Sequence, residues 1–491
     1  MAFSSLGFLF VFLPLVWVIY WTLAWLSGGR FRLLWLAAAS FAFVGYPHLG
    51  NIPILAGSIL GNYILGTWLV CSSKEQSGTR SRKLVLLLGL GLNIALLGCF
   101  KYANFAVANL NALGGFHLRP WTLALPLGIS FFTIQQIAFL VDAYQGVAVE
   151  SDLLEYTLFV SFFPRVVSGP IVSLKDIVQQ LRNPSLREFR LENLSTGIYV
   201  FTIGLAKKVL VAETMGAAVG AAYANPGSLT LVEGWVASLG YTCQIYFDFS
   251  GYTDMAIGAA LLFGLRLPIN FDSPYKAASV VEFWKRWHIT LSNFITGYLY
   301  TPMLRAFSSV TLARAMVATF AAMVLAGLWH GAAWGFVVFG ALHGFALVVN
   351  QVWRKKVRIR LWRPIAWLLT FSLVNVAFVF FRASRLGDAT AVLSAMAGQH
   401  GAKLPLSLEG RLGFLRGIGF QFGLVGIPTD ALIKTALALP CCLVVVLWAR
   451  NTRVLQLNFR PGWRSALAVA FGFVFSVLSL TGVGDFLYFN F

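Results

Sequence analysis

Apolar runs of membrane-spanning length alternate with short polar connectors along the whole chain. Residues 6–26, 33–45, 52–71, 84–100, 121–141, 197–211, 229–247, 252–263, 311–328, 332–349, 361–381, 431–448 and 467–480 are each dominated by apolar side chains. A helix of about 17 to 25 such residues crosses a hydrocarbon core roughly 30 Å thick. The pattern therefore predicts an all-α polytopic integral membrane protein with about 11 to 13 membrane segments, the shorter runs re-entering or pairing with a neighbour. Gly251, between the runs 229–247 and 252–263, predicts a broken helix. The first run has no basic stretch ahead of it and no small-residue cleavage site, so it reads as a retained first transmembrane helix and not a signal peptide.

Two segments depart from this pattern. Residues 172–194 carry Lys175, Asp176, Arg182, Arg187, Glu188, Arg190 and Glu192, and read as an amphipathic segment resting on the membrane surface. Residues 266–304 are too polar to span and too aromatic for a free loop. Polar or irregular backbone at membrane depth persists only where protein buries it or it lines a cavity, so an active chamber is expected there.

Of the 491 residues, 58% are hydrophobic and 11% charged, against about 25% charged in soluble proteins, which excludes a soluble enzyme. Lys and Arg total 37 against 18 Asp and Glu, a net charge of +19. That excess sits in short loops and reads as positive-inside anchoring, with no nucleic-acid partner. Arg30 and Arg32, then Lys74, Arg80, Arg82 and Lys83, place the first and third connectors in the cytoplasm and the N-terminus outside. Cys71, Cys99, Cys243, Cys441 and Cys442 form neither a CxxC pair nor a zinc-ligand spacing, so no disulfide framework or metal is expected.

Candidate chemistry concentrates in the histidines. His48, His117 and His400 lie in connecting segments beside Pro or Gly and read as loop residues. His330 ends one apolar run in the sequence Gly327-Leu328-Trp329-His330-Gly331, and imidazole there can take a proton from a hydroxyl and pass it to a leaving thiolate. The competing reading is a histidine hydrogen-bonded between helices. His288 follows Trp287 in a short amphipathic segment where Glu282 and Arg286 have helical ion-pair spacing; the alternative is an interfacial anchor helix. His343 is thirteen positions beyond His330, about 20 Å along a continuous helix, so the two are not expected to share a metal ion. Asp248, Ser250, Asp254 and Asn270 are further polar candidates at membrane depth, either facing substrate or satisfying donors inside the bundle. No phosphate-binding loop of the GxxxxGK[ST] type and no GxSxG nucleophile elbow occurs.

An ordered series of motifs carries a resemblance. It includes Phe100-Lys101-Tyr102-Ala103-Asn104-Phe105, Pro126-Leu127-Gly128-Ile129-Ser130-Phe131-Phe132, Ser168-Gly169-Pro170, Gly204-Leu205-Ala206-Lys207-Lys208, Tyr246-Phe247-Asp248-Phe249-Ser250-Gly251-Tyr252, Phe283-Trp284-Lys285-Arg286-Trp287-His288, the His330 motif and Phe380-Phe381-Arg382-Ala383. Together they resemble the membrane-bound O-acyltransferase family, most closely its bacterial branch of alginate O-acetyltransferases and teichoic acid D-alanyl transfer proteins. The resemblance implies a single membrane domain, a ring of helices around a transmembrane tunnel, with N-terminal helices in 1–100, a catalytic core in 101–382 and C-terminal helices with an aromatic tail in 383–491. It assigns His330 as catalytic general base and His288 as a second, more variable polar position; Trp287, Trp329, Asp248, Ser250, Asp254 and Asn270 are candidates for lining the tunnel. Thr301-Pro302-Met303-Leu304-Arg305-Ala306 departs from the Gly-Gly-Asn-Arg stretch usual in alginate-type members, which bears on subfamily and acceptor.

The implied reaction moves a short acyl group, acetyl above all, from a cytoplasmic thioester toward an exported polysaccharide or cell-envelope polymer. Acyl-coenzyme A or an acyl-carrier thioester is then a donor substrate and no cofactor is tightly held; Lys207, Lys208 and the basic cytoplasmic loops would steer the anionic donor, positive-inside anchoring being the alternative for the two lysines. The expected setting is the bacterial plasma membrane, alongside an extracytoplasmic acyltransferase or polymer-synthesis proteins. Two rivals make different demands: a flippase would couple Asp248 and Asp254 to protons, and a lipid-linked glycosyltransferase needs an early outer-loop carboxylate, whereas the first acidic residue, Glu75, lies in a loop read as cytoplasmic. In the tail 485–491, Tyr488 is a candidate acyl relay, because a phenol ester is a better leaving group than an alkyl ester; an interfacial aromatic anchor is the alternative. The relay predicts that Tyr488→Phe abolishes surface acylation at unchanged protein level, measured as base-labile ester on the envelope; normal acylation removes it.

Overall fold

The structure, a computed structural model, describes residues 2–27, 29–74, 79–480 and 487. It is helical almost throughout; the strands among the described residues are Lys403–Pro405 and Gln421–Gly423, paired in parallel. Among the described residues, eight helices are long and apolar enough to cross a membrane: Phe8–Leu26, Asn51–Ser73, Thr79–Gly114, Leu191–Ala224, Leu312–His330, Trp334–Val357, Arg363–Arg382 and Thr429–Trp448. Ile129–Tyr144, Leu386–Met396 and Trp463–Leu478 are shorter apolar helices. The chain is thus a multi-pass membrane protein. Large apolar side chains such as Leu15, Ile64, Leu88, Val317 and Leu369 are exposed, the surface that a hydrocarbon solvent favours.

The helix break expected at Gly251 does not occur. Leu231–Leu262 is one helix of 32 residues. An interior glycine costs a helix only about 1 kcal/mol relative to alanine, and Gly251 is buried by its surroundings, so packing overrides the local preference. The expected run 121–141 is helical only from Ile129, because Pro126 withholds a donor and Gly128 takes a left-handed φ of 74°, where a β-carbon would strike the Val166 carbonyl.

The chain resolves into two compact units, each assembled from separated stretches. One comprises Met1–Leu205, Tyr252–Ile269 and Gln456–Asn490. In it the first helix is tied down by Trp17 and Trp21, whose indoles both donate to the Leu262 carbonyl, and by the Tyr20 hydroxyl on the Phe263 carbonyl. The polar segment after residue 172 forms the helix Leu174–Arg182, capped by Ser173 and burying Leu174, Ile177, Val178 and Leu181 on one face, as amphipathic patterning predicts. Its last residue, Arg182, grips Glu155 through two hydrogen bonds of 2.7 Å each.

The other unit comprises Ala206–Gly251 and Asn270–Leu455. At its heart the helices Leu312–His330 and Trp334–Val352 form a hairpin, turned by Gly331, Ala332 and Ala333. The hairpin closes on glycine: a β-carbon on Gly327 would strike the Phe336 carbonyl and lie 2.9 Å from the Gly340 α-carbon, and one on Gly340 would strike the Met323 carbonyl. Gly335 gives the same close approach to the Phe380 carbonyl on Arg363–Arg382. Even a methyl group at the hairpin contact must therefore push two backbones apart. Gly327→Ala and Gly340→Ala should each destabilise by about 1–3 kcal/mol; the expected readout is a melting temperature lowered by several degrees in detergent, followed by fluorescence-detected size exclusion.

Candidate active site

His330, His288 and His343 all lie in the second unit and all are buried. His330 is the last residue of its helix, and Gly331 follows in extended backbone, so the imidazole stands where the helix stops. The Phe381 ring meets it edge-on at 5.3 Å and Phe339 at 6.0 Å, while its neighbour Trp329 packs at 5.0 Å. These rings make an enclosure of low polarity around a group able to exchange a proton.

His288 sits between two short helices, Val280–Arg286 and Ile289–Phe294, in a left-handed conformation with φ of 43°. Such a conformation is uncommon for a residue with a β-carbon and holds only when neighbours enforce it. Here the enforcement is a strap, residues 270–272, bonded along its length to 286–290. The Asp272 amide donates to the Arg286 carbonyl at 2.9 Å and the Ile289 amide to the Asn270 carbonyl at 3.0 Å. The Arg286 guanidinium, held by Glu282 at 2.9 Å, donates to the Asp272 carbonyl at 3.1 Å. The ion pair expected from the spacing of Glu282 and Arg286 is present.

Asn270 is the centre of this arrangement. Its Oδ1 lies 3.1 Å from His288 Nδ1 and accepts from the Thr290 amide at 3.2 Å and the Thr290 hydroxyl at 3.0 Å. Because Oδ1 can only accept, His288 Nδ1 carries a proton in this pairing, and in the neutral ring Nε2 is the basic nitrogen. The Phe249 ring abuts the imidazole edge-on at 4.8 Å. Trp287 is buried among Phe271, Phe283, Tyr275 and Phe378, with centroid distances of 5.1 to 6.2 Å. Phe378 in turn meets Phe339 and Phe381, so one continuous series of rings links the surroundings of His288 to those of His330.

The remaining expected site residues fall elsewhere. Asp248 Oδ1 is 2.6 Å from Lys208 Nζ, both side chains being almost wholly buried. Lys208 reaches it from a widened, π-type turn, Lys207–Ala212, and Lys207 Nζ donates to the Thr452 hydroxyl at 2.8 Å. The expected steering of an anionic donor by Lys208 is therefore corrected: its charge is spent inside the protein. Ser250 is buried two residues past Asp248, whereas Asp254, also buried, belongs to the first unit. Tyr488 lies outside the described residues.

The separation expected for His330 and His343 is also corrected, because the chain reverses at Gly331–Ala333 and the two histidines stand on facing arms of a hairpin. His343 accepts the Trp284 indole N–H at 3.3 Å on Nδ1, and Phe339 contacts both imidazoles. Sequence reasoning assigned no role to Trp284, His343, Phe249 or Thr290, although Trp284 and Phe249 lie in motifs that carry the resemblance and His343 lies between Gly340 and Gly344. A cavity of about 240 Å³ adjoins Trp284; its wall is mostly apolar, with Ile295, Ala322, Met323 and Leu347 beside Thr296, Tyr300 and Gln351.

Residues 122–387, which contain all three histidines, match the model of MBOAT, the membrane-bound O-acyltransferase family. The chain is 35% identical to a peptidoglycan O-acetyltransferase of Helicobacter pylori, with 100% of this chain and 97% of that one covered. It is 38% identical to a probable alginate O-acetylase of Pseudomonas putida over 81% of this chain and 80% of that one. A teichoic acid D-alanyltransferase of Streptococcus thermophilus is 28% identical over 52% of this chain and 68% of its own length.

The buried pair makes a prediction of its own. Lys208→Met alone leaves Asp248 uncompensated in a dry interior and should cost about 3–5 kcal/mol, whereas adding Asp248→Asn should recover most of it. Thermal unfolding of the two variants in the same detergent checks this, a double variant no better than the single one being the contrary result.

Proposed function

As this chain belongs to the membrane-bound O-acyltransferase family, we propose that it transfers acetyl from a cytoplasmic thioester to hydroxyls of an exported cell-envelope glycan, with peptidoglycan the favoured acceptor. It is an O-acyltransferase of the plasma membrane, with its N-terminus outside. The observation that carries this reading is the placement of His330, a proton-exchanging group at a helix end inside an aromatic enclosure. Peptidoglycan is favoured over alginate because the peptidoglycan O-acetyltransferase aligns with the whole chain, and because residues 301–306 depart from the alginate-type stretch.

In the reaction, His330 takes the proton of the acceptor hydroxyl as its oxygen attacks the thioester carbonyl. The new C–O bond forms, the C–S bond breaks, and the imidazolium returns the proton to the departing thiolate. His288, with its Nδ1 proton held on Asn270, presents a basic Nε2 as a second polar group for the reacting atoms. The rings around both exclude water, which would otherwise hydrolyse the donor.

The cavity beside Trp284 suits the donor arm. Its apolar wall of Ile295, Ala322, Met323 and Leu347 suits the methylenes of a pantetheine chain and the Gln351 amide can meet one of its peptide groups, while Gln351 is followed by Arg354, Lys355, Lys356, Arg358, Arg360 and Arg363 with no acidic residue between, a set that would take the donor phosphates. Partners acting on the outer side would complete delivery to the polymer. The transporter alternative is less well supported, because Lys208 already neutralises Asp248.

Base-labile acetate on purified peptidoglycan, compared between wild type and His330→Ala at matched membrane abundance, tests the reading. Loss of general-base catalysis should lower the ester by about 10²- to 10⁴-fold. Wild-type acetate in the variant would refute the assignment, and acetate confined to another polymer would move the acceptor.

A further inference from the structure

We infer that His343 is a positioning residue, which holds the Trp284 indole in place through Nδ1 and thereby sets one wall of the cavity that the preceding reading gives to the donor arm. The inference rests on that reading for its consequence but on separate geometry for its content. An indole nitrogen can only donate, so the 3.3 Å contact from Trp284 Nε1 requires Nδ1 of His343 to be unprotonated. The single proton of the neutral ring is therefore on Nε2. That atom is buried and has no hydrogen-bond partner among the described residues.

The surroundings make this histidine costly. Its ring lies flat against Phe283, at 5.9 Å and 8° between planes, with Trp284 edge-on at 5.2 Å and Phe339 at 4.7 Å. A phenylalanine would fill such a box and leave no donor unmet. What histidine adds is the acceptor for Trp284, at the expense of a buried N–H on its far side.

Trp284 is where that acceptor matters. It lines the cavity, and it lies in the helix Val280–Arg286 that runs directly into Trp287 and His288. Leu347 and Gln351, one and two turns beyond His343 on the same helix, line the cavity too. A free indole would turn about its side-chain bonds into the adjoining space. Fixed by His343, it keeps the cavity open and the approach to the His288 turn constant, while Phe339 joins the same ring set to His330.

The test is a double-mutant cycle on donor use in isolated membranes. His343→Leu and Trp284→Phe each remove one end of the bond, and each should lower acyl transfer by about 10- to 100-fold through misplacement of the donor, with the donor KM raised and the acceptor KM unchanged. The double variant should fall no further than either single one. His343→Asn, which can offer Oδ1 near the position of Nδ1, should restore most of the rate. Losses that multiply in the double variant, or an asparagine no better than leucine, would overturn the inference. Should His343→Leu fail to reach the membrane, Trp284→Phe and His343→Asn still decide the question.

Binding of a non-transferable thioether analogue of acetyl-coenzyme A separates the two levels of argument. Wild-type binding that His343→Leu leaves unaltered overturns the role of His343 alone. Absence of wild-type binding overturns the donor reading, and the cavity role of His343 with it.

Discussion

Three donors converging on one amide oxygen hold the second unit's irregular segment in shape. Asn270 Oδ1 takes the His288 ring N–H and both the amide and hydroxyl of Thr290, at a place where the chain has left regular helix and has no water to turn to. The tautomer of the His288 ring follows from that convergence, and the backbone carbonyl of Asn270, bonded by the Ile289 amide, helps to hold the strained φ of His288. An aspartate would add an uncompensated charge, and a leucine would strand all three donors. Asparagine is a neutral residue able to accept at this reach, and the strap from Asn270 to Asp272 is anchored at its far end by Asn451, whose amide donates to Asp272 at 2.6 Å.

Much of this was legible in the sequence. Hydropathy alone located the membrane helices to within a few residues in most cases, because a run of apolar side chains has no other solvent to go to. The segment 266–304 stood out for the opposite reason, as polar chemistry with nowhere to be solvated. The pairing of Glu282 with Arg286 needed only helical spacing. Sequence reasoning failed where two distant elements decide the outcome together. Gly251 looked like a break because a lone glycine is judged by its own propensity, while in the fold it is buried within one helix of 32 residues. Lys208 looked available because a lysine is soluble by default; only the fold reveals Asp248 forty positions away at bonding distance.

His343 illustrates a different blindness. Distance along a helix is a sound ruler only while the helix continues, and three small residues, Gly331 to Ala333, were enough to fold the ruler back on itself. Nothing in periodicity reports which nitrogen of an imidazole is occupied. That is set by the partner, and here the partner comes from a helix of seven residues more than fifty positions upstream.

The glycine contact between the two arms of the hairpin has a kinetic meaning. Helices whose backbones touch cannot slip past one another by a turn without first parting, and parting gives up the close van der Waals packing that holds helices together where lipid surrounds them. The arms that carry His330 and His343 are thus a fixed frame. Any motion that brings another group to those histidines therefore has to come from other elements of the fold, not from sliding of the two arms.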